Sequence, residues 1–95
     1  MEIISAGDDR QGGFYAMEGE QRLGELTWTR VGDGPINADH TWVSPALRGQ
    51  GVARQLVDAL VAWAREEGLK IRPRCSYVVA VFQQDPSLRD VAARP

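Results

Sequence analysis

The most informative stretch of the 95-residue chain reads Ser44-Pro45-Ala46-Leu47-Arg48-Gly49-Gln50-Gly51-Val52-Ala53. An alternating, strand-like run ends just before this stretch, and the longest helical pattern of the sequence begins at its end. The first turn of a helix leaves backbone N–H groups without intrahelical partners, and the helix dipole adds partial positive charge there. The two glycines let an anionic group approach this backbone closely, and Arg48 adds a charge beside it.

Two interpretations of this stretch follow from the residues alone. It is either a phosphate-binding loop or a plain turn from strand to helix, in which the glycines serve only the turn. Two common nucleotide-binding patterns are excluded. The G-x-x-x-x-G-K-[ST] pattern requires a Lys that is absent here, and the G-x-G-x-x-G pattern requires a third glycine that does not follow at that spacing.

The pattern of polarity around the loop predicts strands before it and helices after it. The predicted elements are a short strand at Ile3-Ile4, strands over residues 13–18, Gln21–Arg30 and Ile36–Val43, a helix over Val52–Glu67 closed by Gly68, a strand over residues 69–74, and a helix that has Ser76 as its N-cap and runs to about Gln84. This order predicts an α+β fold of mixed α/β character. It has a mixed, mostly antiparallel sheet with a long central helix and a shorter C-terminal helix.

Alternation within the strands predicts which side chains face the core. Leu26 and Trp28 share one face of their strand, and Leu23 falls on the other, so a bulge near Gly24 is expected. Strict alternation in the next strand places Ile36, Ala38, His40 and Trp42 together. The three tryptophans, Trp28, Trp42 and Trp63, are expected to pack in the core.

Composition limits the class of protein. The chain is 43% hydrophobic and 25% charged, which predicts one globular domain over residues 1–95. A net charge of −2 argues against a nucleic-acid partner. No membrane helix or secretory signal is predicted, and the single cysteine fits a reducing, cytoplasmic setting. The expected state is a monomer or weak dimer.

The loop also resembles a known family. Arg48-Gly49-Gln50-Gly51-Val52-Ala53 fits the [QR]-x-x-G-x-[GA] signature of the GNAT N-acetyltransferase superfamily. The strings over residues 39–51 and 73–78 resemble its small single-domain YjdJ-type, GNAT-like subfamily, and the resemblance runs from about Gly13 to about Phe82. It implies a compact GNAT-like fold and an acyl-CoA-dependent N-acyltransferase. That activity moves an acetyl group from acetyl-CoA to an unidentified amine acceptor without a metal.

The resemblance also implies where coenzyme A binds. The strand before the loop splays from its parallel neighbour and pairs with the pantetheine arm, while the loop amides hold the pyrophosphate. The implied coenzyme-binding residues are Trp42, Val43, Arg48, Gly49, Gln50, Gly51, Val52 and Ala53. A basic stripe of Lys70, Arg72 and Arg74 has two open interpretations, a contact to the coenzyme's 3′-phosphate or a solvated strand face.

Cys75 and His40 are the candidate catalytic side chains, being the only thiol and the only imidazole of the chain. A thiol just before a helix start is favoured as thiolate, and the resemblance implies catalysis, including an acyl-enzyme route. Imidazole suits a general base near neutrality. Each has a structural alternative, a buried cysteine and a packed core histidine. The resemblance also implies that Asp39 borders the active site.

Two departures from the superfamily pattern affect the expected function. Tyr77 is a candidate proton donor to the leaving thiolate, but it lies at the start of the last helix rather than later, so packing is its alternative role. The superfamily carries about two helices between its first two strands, whereas this chain has only residues 5–13 there. The acceptor site is therefore expected to be open. The rival functions are a non-catalytic coenzyme A- or partner-binding module and a nucleotide-binding fragment.

Overall fold

Residues 1–94 are described by a computed structural model, and they form one five-stranded sheet with two helices. The elements are β1 (Glu2–Gly7), β2 (Gln11–Glu18), β3 (Gln21–Arg30), β4 (Ile36–Val43), α1 (Val52–Glu67), β5 (Ile71–Pro73) and α2 (Ser76–Gln84), with short 3₁₀ turns at Pro45–Leu47 and Pro86–Val91. The strands lie in chain order. Neighbouring strands are antiparallel except β4 and β5, which are parallel. The predicted mixed sheet with a long and a shorter helix is thus confirmed.

Helix α1 covers β2, β3 and β4, and its bounds are those predicted. Its buried residues follow helical spacing and form the centre of the core: Val52, Leu56, Val57, Leu60, Val61 and Ala64. Gly68 ends the helix in a left-handed conformation, with φ of 68°, and its N–H reaches the carbonyls of the last turn. The helix therefore begins and ends at the residues that the local sequence pattern predicts.

A bulge in β3 keeps its large apolar residues on one face. Ala16 lies opposite Gly24 and Met17 opposite Arg22, so Leu23 is the extra residue, beside the predicted position. A Cβ on Gly24 would lie 3.3 Å from the Cβ of Ala16 and 3.4 Å from Cδ1 of Leu56. The glycine thus lets α1 approach the sheet closely.

A second bulge, in β4, was not predicted. Thr27 lies opposite His40 and Trp28 opposite Ala38, so Asp39 is the extra residue and reverses the alternation of side chains. Ala38 before the bulge is buried, but His40 and Trp42 after it are exposed. The expectation that these two residues share the core face of Ile36 and Ala38 is therefore wrong.

The three tryptophans therefore differ in how far they are exposed to solvent. Trp28 is buried and lies against the half-buried Trp63, with ring centroids 5.0 Å apart. Trp42 is 39% exposed, so its predicted place in the core is also wrong. The physical reason is the single extra residue at Asp39, because a shift of one position moves every following side chain to the other face.

The chain after α1 closes the core from a second direction. Helix α2 buries Val78 and Val81, and the turn after it buries Leu88 and Val91. All four belong to the hydrophobic cluster that α1 and the sheet form. Three differences from the predicted elements stand out. β1 is a full strand rather than a residue pair, and β5 is shorter than residues 69–74. The prediction of Ser76 as the N-cap of α2 is wrong, because Ser76 lies inside the helix and Cys75, in an extended conformation, precedes it. No helix in residues 1–94 is long and apolar enough to cross a membrane.

Candidate active site

Strands β4 and β5 separate in the middle of β4. Their pairing covers Ile36–Ala38 of β4 only, and the carbonyl of Ala38 accepts the N–H groups of Arg74 at 2.9 Å and Cys75 at 3.1 Å. Beyond that point β4 continues to Val43, bonded to β3 on one side. Within residues 1–94, no strand pairs with its other side. The resulting cleft agrees with the splay that the family resemblance implies.

The open edge of β4 presents backbone hydrogen-bonding groups. Ser44 donates its N–H to the carbonyl of Leu23 in β3 at 2.8 Å. Because neighbouring residues of a strand turn their backbone groups to opposite sides, those of Val43 and Thr41 point to the open edge. An extended chain lying in the cleft can pair with them as a further strand would.

The loop between β4 and α1 is built by its own hydrogen bonds. The hydroxyl of Ser44 accepts from the N–H of Ala46, and the amides of Arg48 and Gln50 donate to carbonyls within the 3₁₀ turn, each at 3.3 Å. Gly49 and Gly51 then take φ values of 82° and 75°, the left-handed region that strains other residues. A Cβ on either would meet nothing within 4 Å, so the outer surface of the loop is open.

Within residues 1–94, several backbone N–H groups at the N-terminus of α1 have no hydrogen-bond acceptor. The first helical bond runs from the N–H of Gln55 to the carbonyl of Gly51 at 3.1 Å, and no side chain caps the helix. Within residues 1–94 the N–H groups of Val52, Ala53 and Arg54 therefore donate to no protein acceptor. The amides of Gly49 and Gly51 are likewise unpaired in this part of the chain.

A pocket of about 240 Å³ lies over these donors. Of the predicted coenzyme residues, it is lined by Val43, Arg48, Gly49, Gly51, Val52 and Ala53, and Leu47, Arg54 and Tyr77 complete it. Trp42 and Gln50 do not line it. The Gln50 amide is bonded within the loop, and the side chain of Trp42 points away after the bulge. The site is thus an open pocket with free amides, not one closed by side chains.

Arg54 joins the pocket to the C-terminal part of the fold. Its guanidinium contacts Asp58 Oδ1 at 2.9 Å and also binds the carboxylate of Asp85. Hydrogen bonds from Ser87 and then from Arg54 lower the pKa of Asp85 to about 2. The sequence shows the i,i+4 spacing of Arg54 and Asp58 but carries no local signal for Asp85, because that contact spans 31 positions.

Tyr77 lies beside Arg54 in the pocket at the start of α2. Burial raises the pKa of Tyr77, and the nearby charge of Arg54 opposes that effect only in part. Its phenol therefore stays protonated at neutral pH and is available as a donor. The structure places the Tyr77 side chain against the loop between β4 and α1, and its role as a proton donor stays a prediction.

Cys75 lies where β4 and β5 separate, and it is the residue before the first turn of α2. It is half-buried, and its Sγ lies 3.4 Å from Oγ1 of Thr41. His40 precedes Thr41 in β4, so its side chain points to the opposite face and is exposed. The structure thus brings Cys75 together with Thr41 and not with His40. The Thr41 contact was not predicted, since it depends on the bulge at Asp39.

The remaining polar candidates lie away from the pocket. Asp39 accepts a hydrogen bond from the hydroxyl of Thr29, and both are exposed. Lys70 and Arg72 line a separate pocket at the start of β4, at the opposite end from the loop. That position does not support their contact with a coenzyme held at residues 48–54. In the described residues, no group of three His, Cys, Asp or Glu side chains is arranged to hold a metal ion.

Comparison with known proteins assigns this fold and loop to a family. The family model of the GCN5-related N-acetyl-transferases matches residues 13–91. The chain therefore belongs to the GCN5-related N-acetyltransferase family, which confirms the superfamily resemblance. Membership of the YjdJ-type subfamily stays a prediction.

Solved structures and sequence relatives agree with this assignment. A GCN5-like protein of Staphylococcus aureus, solved by NMR, is 37% identical, with a TM-score of 0.75 over 99% of this chain and 89% of that one. A ribosomal-protein-alanine N-acetyltransferase of Brucella melitensis shares the fold, with a TM-score of 0.65, 22% identity and coverage of 93% and 65%. Protein NATD1 of Xenopus tropicalis is 33% identical over 61 residues, which is 64% of this chain and 56% of that protein. The aligned region thus spans little more than half of that relative.

Proposed function

We propose that this protein is an acyl-CoA-dependent N-acyltransferase that transfers an acetyl group from acetyl-CoA to an amine. The observation that supports this proposal is the set of unpaired backbone amides at Gly51, Val52 and Ala53, which lie beneath an open pocket. Such donors at a helix N-terminus favour a phosphate group. The fold is shared with an aminoglycoside N-acetyltransferase solved in complex with CoA, at 20% identity and a TM-score of 0.62.

The coenzyme would extend from the loop into the splay. Its pyrophosphate would accept from the amides of Gly49, Gly51, Val52 and Ala53, with the charge of Arg48 beside it. The pantetheine arm would pair with the open backbone edge at Val43 and Thr41, which leads toward Cys75. Gln50 and Trp42 remain predictions as coenzyme contacts.

Two chemical routes fit this arrangement. In the direct route, the amine nitrogen attacks the thioester carbonyl carbon, the carbon–sulfur bond breaks, and the amine proton passes to a base or to water. His40 remains a prediction for that base, since its side chain lies on the face of β4 away from Thr41 and Cys75. In the second route, the thiolate of Cys75 attacks first and releases CoA, and the amine then attacks the acyl-Cys75 thioester. In both, the phenol of Tyr77 can protonate the leaving CoA thiolate.

The test of coenzyme binding uses two glycines with the same backbone strain. Gly51→Asp places a carboxylate where the pyrophosphate would lie, and we expect loss of CoA binding by calorimetry. Gly19→Asp is the matched control, because Gly19 has a φ of 60° in an exposed turn and a Cβ there also meets nothing within 4 Å. That variant should bind CoA as the wild type does. Wild-type affinity in Gly51→Asp would overturn the proposal.

A second candidate function is a coenzyme A-binding or partner-binding module without turnover. It is favoured by the short connection between β1 and β2, which is residues 8–10 and holds no helix to enclose an acceptor. Incubation with radiolabelled acetyl-CoA, with and without a panel of amines, separates the two. We expect label on the wild-type protein or on an amine, and a Cys75→Ala protein that loses the covalent label. CoA binding without transfer to protein, amine or water would establish the module instead.

A further inference from the structure

A second pocket lies at the end of the sheet away from the loop between β4 and α1. It has a volume of about 310 Å³ and sits between the β3–β4 loop, the link from α1 to β5 and the tail after residue 91. Four cationic side chains line it, from Arg30, Lys70, Arg72 and Arg94, against the single carboxylate of Asp33. The chain as a whole carries a net charge of −2, so this is a local concentration of positive charge.

These four cations lack acidic partners. Within residues 1–94, none of them forms an ion pair, whereas Arg22, Arg54 and Arg65 each contact a carboxylate. The carboxylate of Asp90, whose charge also interacts with that of Lys70, is engaged by Arg65 through two contacts of 2.8 and 2.9 Å.

Backbone carbonyls hold two of the four head groups in place. Nε of Arg30 donates to the carbonyl of Gly34 at 2.8 Å, and Nζ of Lys70 donates to the carbonyl of Asp90. A carbonyl orients a cation without neutralising it. The other N–H donors of the two head groups stay available to a ligand. Because folding already orders these side chains, a ligand that binds them meets a smaller entropy cost.

We propose that this pocket binds a phosphate group, as free phosphate or as a phosphate monoester. Guanidinium and ammonium groups recognise phosphate through charge-assisted hydrogen bonds, and a doubly charged anion relieves the mutual repulsion of four cations. A neutral ligand would leave that repulsion unchanged. The partial negative charge at the C-terminus of α1 also attracts these residues. Of its last four carbonyls, only those of Ala64 and Arg65 accept from the N–H groups of Gly68 and Leu69.

This pocket is separate from the coenzyme site. It lies at the start of β4, and the coenzyme loop follows its end at Val43, about 23 Å away along an extended strand of this length. No residue of the loop lines it. The inference therefore does not depend on the proposed transferase activity.

The test is a titration of isotope-labelled protein with sodium phosphate, followed by NMR at constant ionic strength. We expect saturable shifts of the amides around residues 30–36 and 68–72, which persist when CoA is also present. Arg72→Gln should weaken binding about tenfold, as loss of one charge-assisted contact predicts. Arg74→Gln is the control, since Arg74 is exposed just after β5 and does not line the pocket. That variant should bind as the wild type does.

Three outcomes would overturn the proposal. These are shifts that stay linear with phosphate, shifts that chloride reproduces, and an Arg72→Gln protein with wild-type affinity. Glycerol phosphate serves as a second ligand. Tighter binding of this ester than of phosphate assigns the pocket to a phosphorylated small molecule, and equal or weaker binding assigns it to free phosphate.

Discussion

Thr41 and Cys75 meet where β4 and β5 separate, with Oγ1 and Sγ 3.4 Å apart. When the thiol is ionised, the hydroxyl can donate to the thiolate sulfur, and hydrogen bonds to a charged group are stronger than those to a neutral one. Thr41 is therefore the hydrogen-bond partner of Cys75 in the cleft, and the catalytic role of Cys75 stays a prediction. His40 lies exposed on the other face of β4, and its role as a general base stays a prediction.

At the residue scale, we predict that Thr41→Val slows alkylation of Cys75 by about three- to tenfold at pH 7, the cost of one hydrogen bond of about 1 kcal/mol. Valine has nearly the same shape as threonine, so access of the reagent is preserved. Thr41→Ser should restore most of the rate. The measurement is the rate of reaction with iodoacetamide, with CoA absent. Equal rates for wild type and Thr41→Val would show that the hydroxyl does not support the thiolate.

At the element scale, the contact between α1 and the end of α2 depends on Asp85. Its carboxylate accepts from the N–H and hydroxyl of Ser87 at 3.0 and 2.6 Å and binds Arg54 from α1. These bonds hold the pKa of Asp85 at about 2, below its ordinary value of 3.8. A depressed carboxyl pKa stabilises the fold above the unfolded value, and that stability is lost as the pH falls through the folded one.

We therefore predict that Asp85→Asn lowers the melting temperature at pH 7, because the ionised carboxylate is removed. The difference between wild type and variant should shrink between about pH 4 and pH 2, where the wild-type carboxyl takes up its proton. Thermal unfolding followed by circular dichroism across this range provides the measurement. A difference that is the same at pH 7 and pH 2, or absent at pH 7, would contradict the prediction.

The β4 bulge is the other feature that acts at the element scale. One extra residue at Asp39 turns Thr41 toward Cys75 and leaves His40 and Trp42 exposed. Without it, alternation would place His40 beside Ala38 in the core. The bulge thus determines which β4 side chains reach the cleft and which face solvent.

At the scale of the whole molecule, a single hydrophobic cluster joins the sheet to α1, α2 and the final turn. A small core of this kind makes the protein responsive to ligands, since any ligand that binds only the folded state adds directly to its stability. The coenzyme loop lies at one end of this unit and the cationic pocket at the other.

We predict that CoA at about 100 times its Kd stabilises the wild-type fold by about 2.7 kcal/mol and raises its melting temperature. ATP at the same concentration should raise it less, because ATP lacks the pantetheine arm that would pair with β4. Gly51→Asp should show no increase with CoA. Thermal shift measurements on both proteins test this, and stabilisation by ATP that equals or exceeds that by CoA would favour a nucleotide-binding function.

Several elements could be predicted because their patterns are local. The bounds of α1 and β3 follow from a sustained apolar period and from flanking glycines, and Gly68 takes the left-handed conformation expected of a glycine that closes a helix. β1 could be predicted only in part, because it is an edge strand whose exposed residues carry little alternation. The short turn at Pro86–Val91 lacks any repeat that would predict it.

The amino-acid sequence alone indicated the loop between β4 and α1 as a candidate anion site, because two glycines, an arginine and a following helix are local features of the chain. Only the tertiary structure determined the partners of Cys75 and of Arg54. The contact of Cys75 with Thr41 and that of Arg54 with Asp85 span 34 and 31 positions. They depend on strand register, on the bulge at Asp39 and on helix packing. Such long-range pairing arises from the whole folded chain and leaves no periodic signal in the sequence.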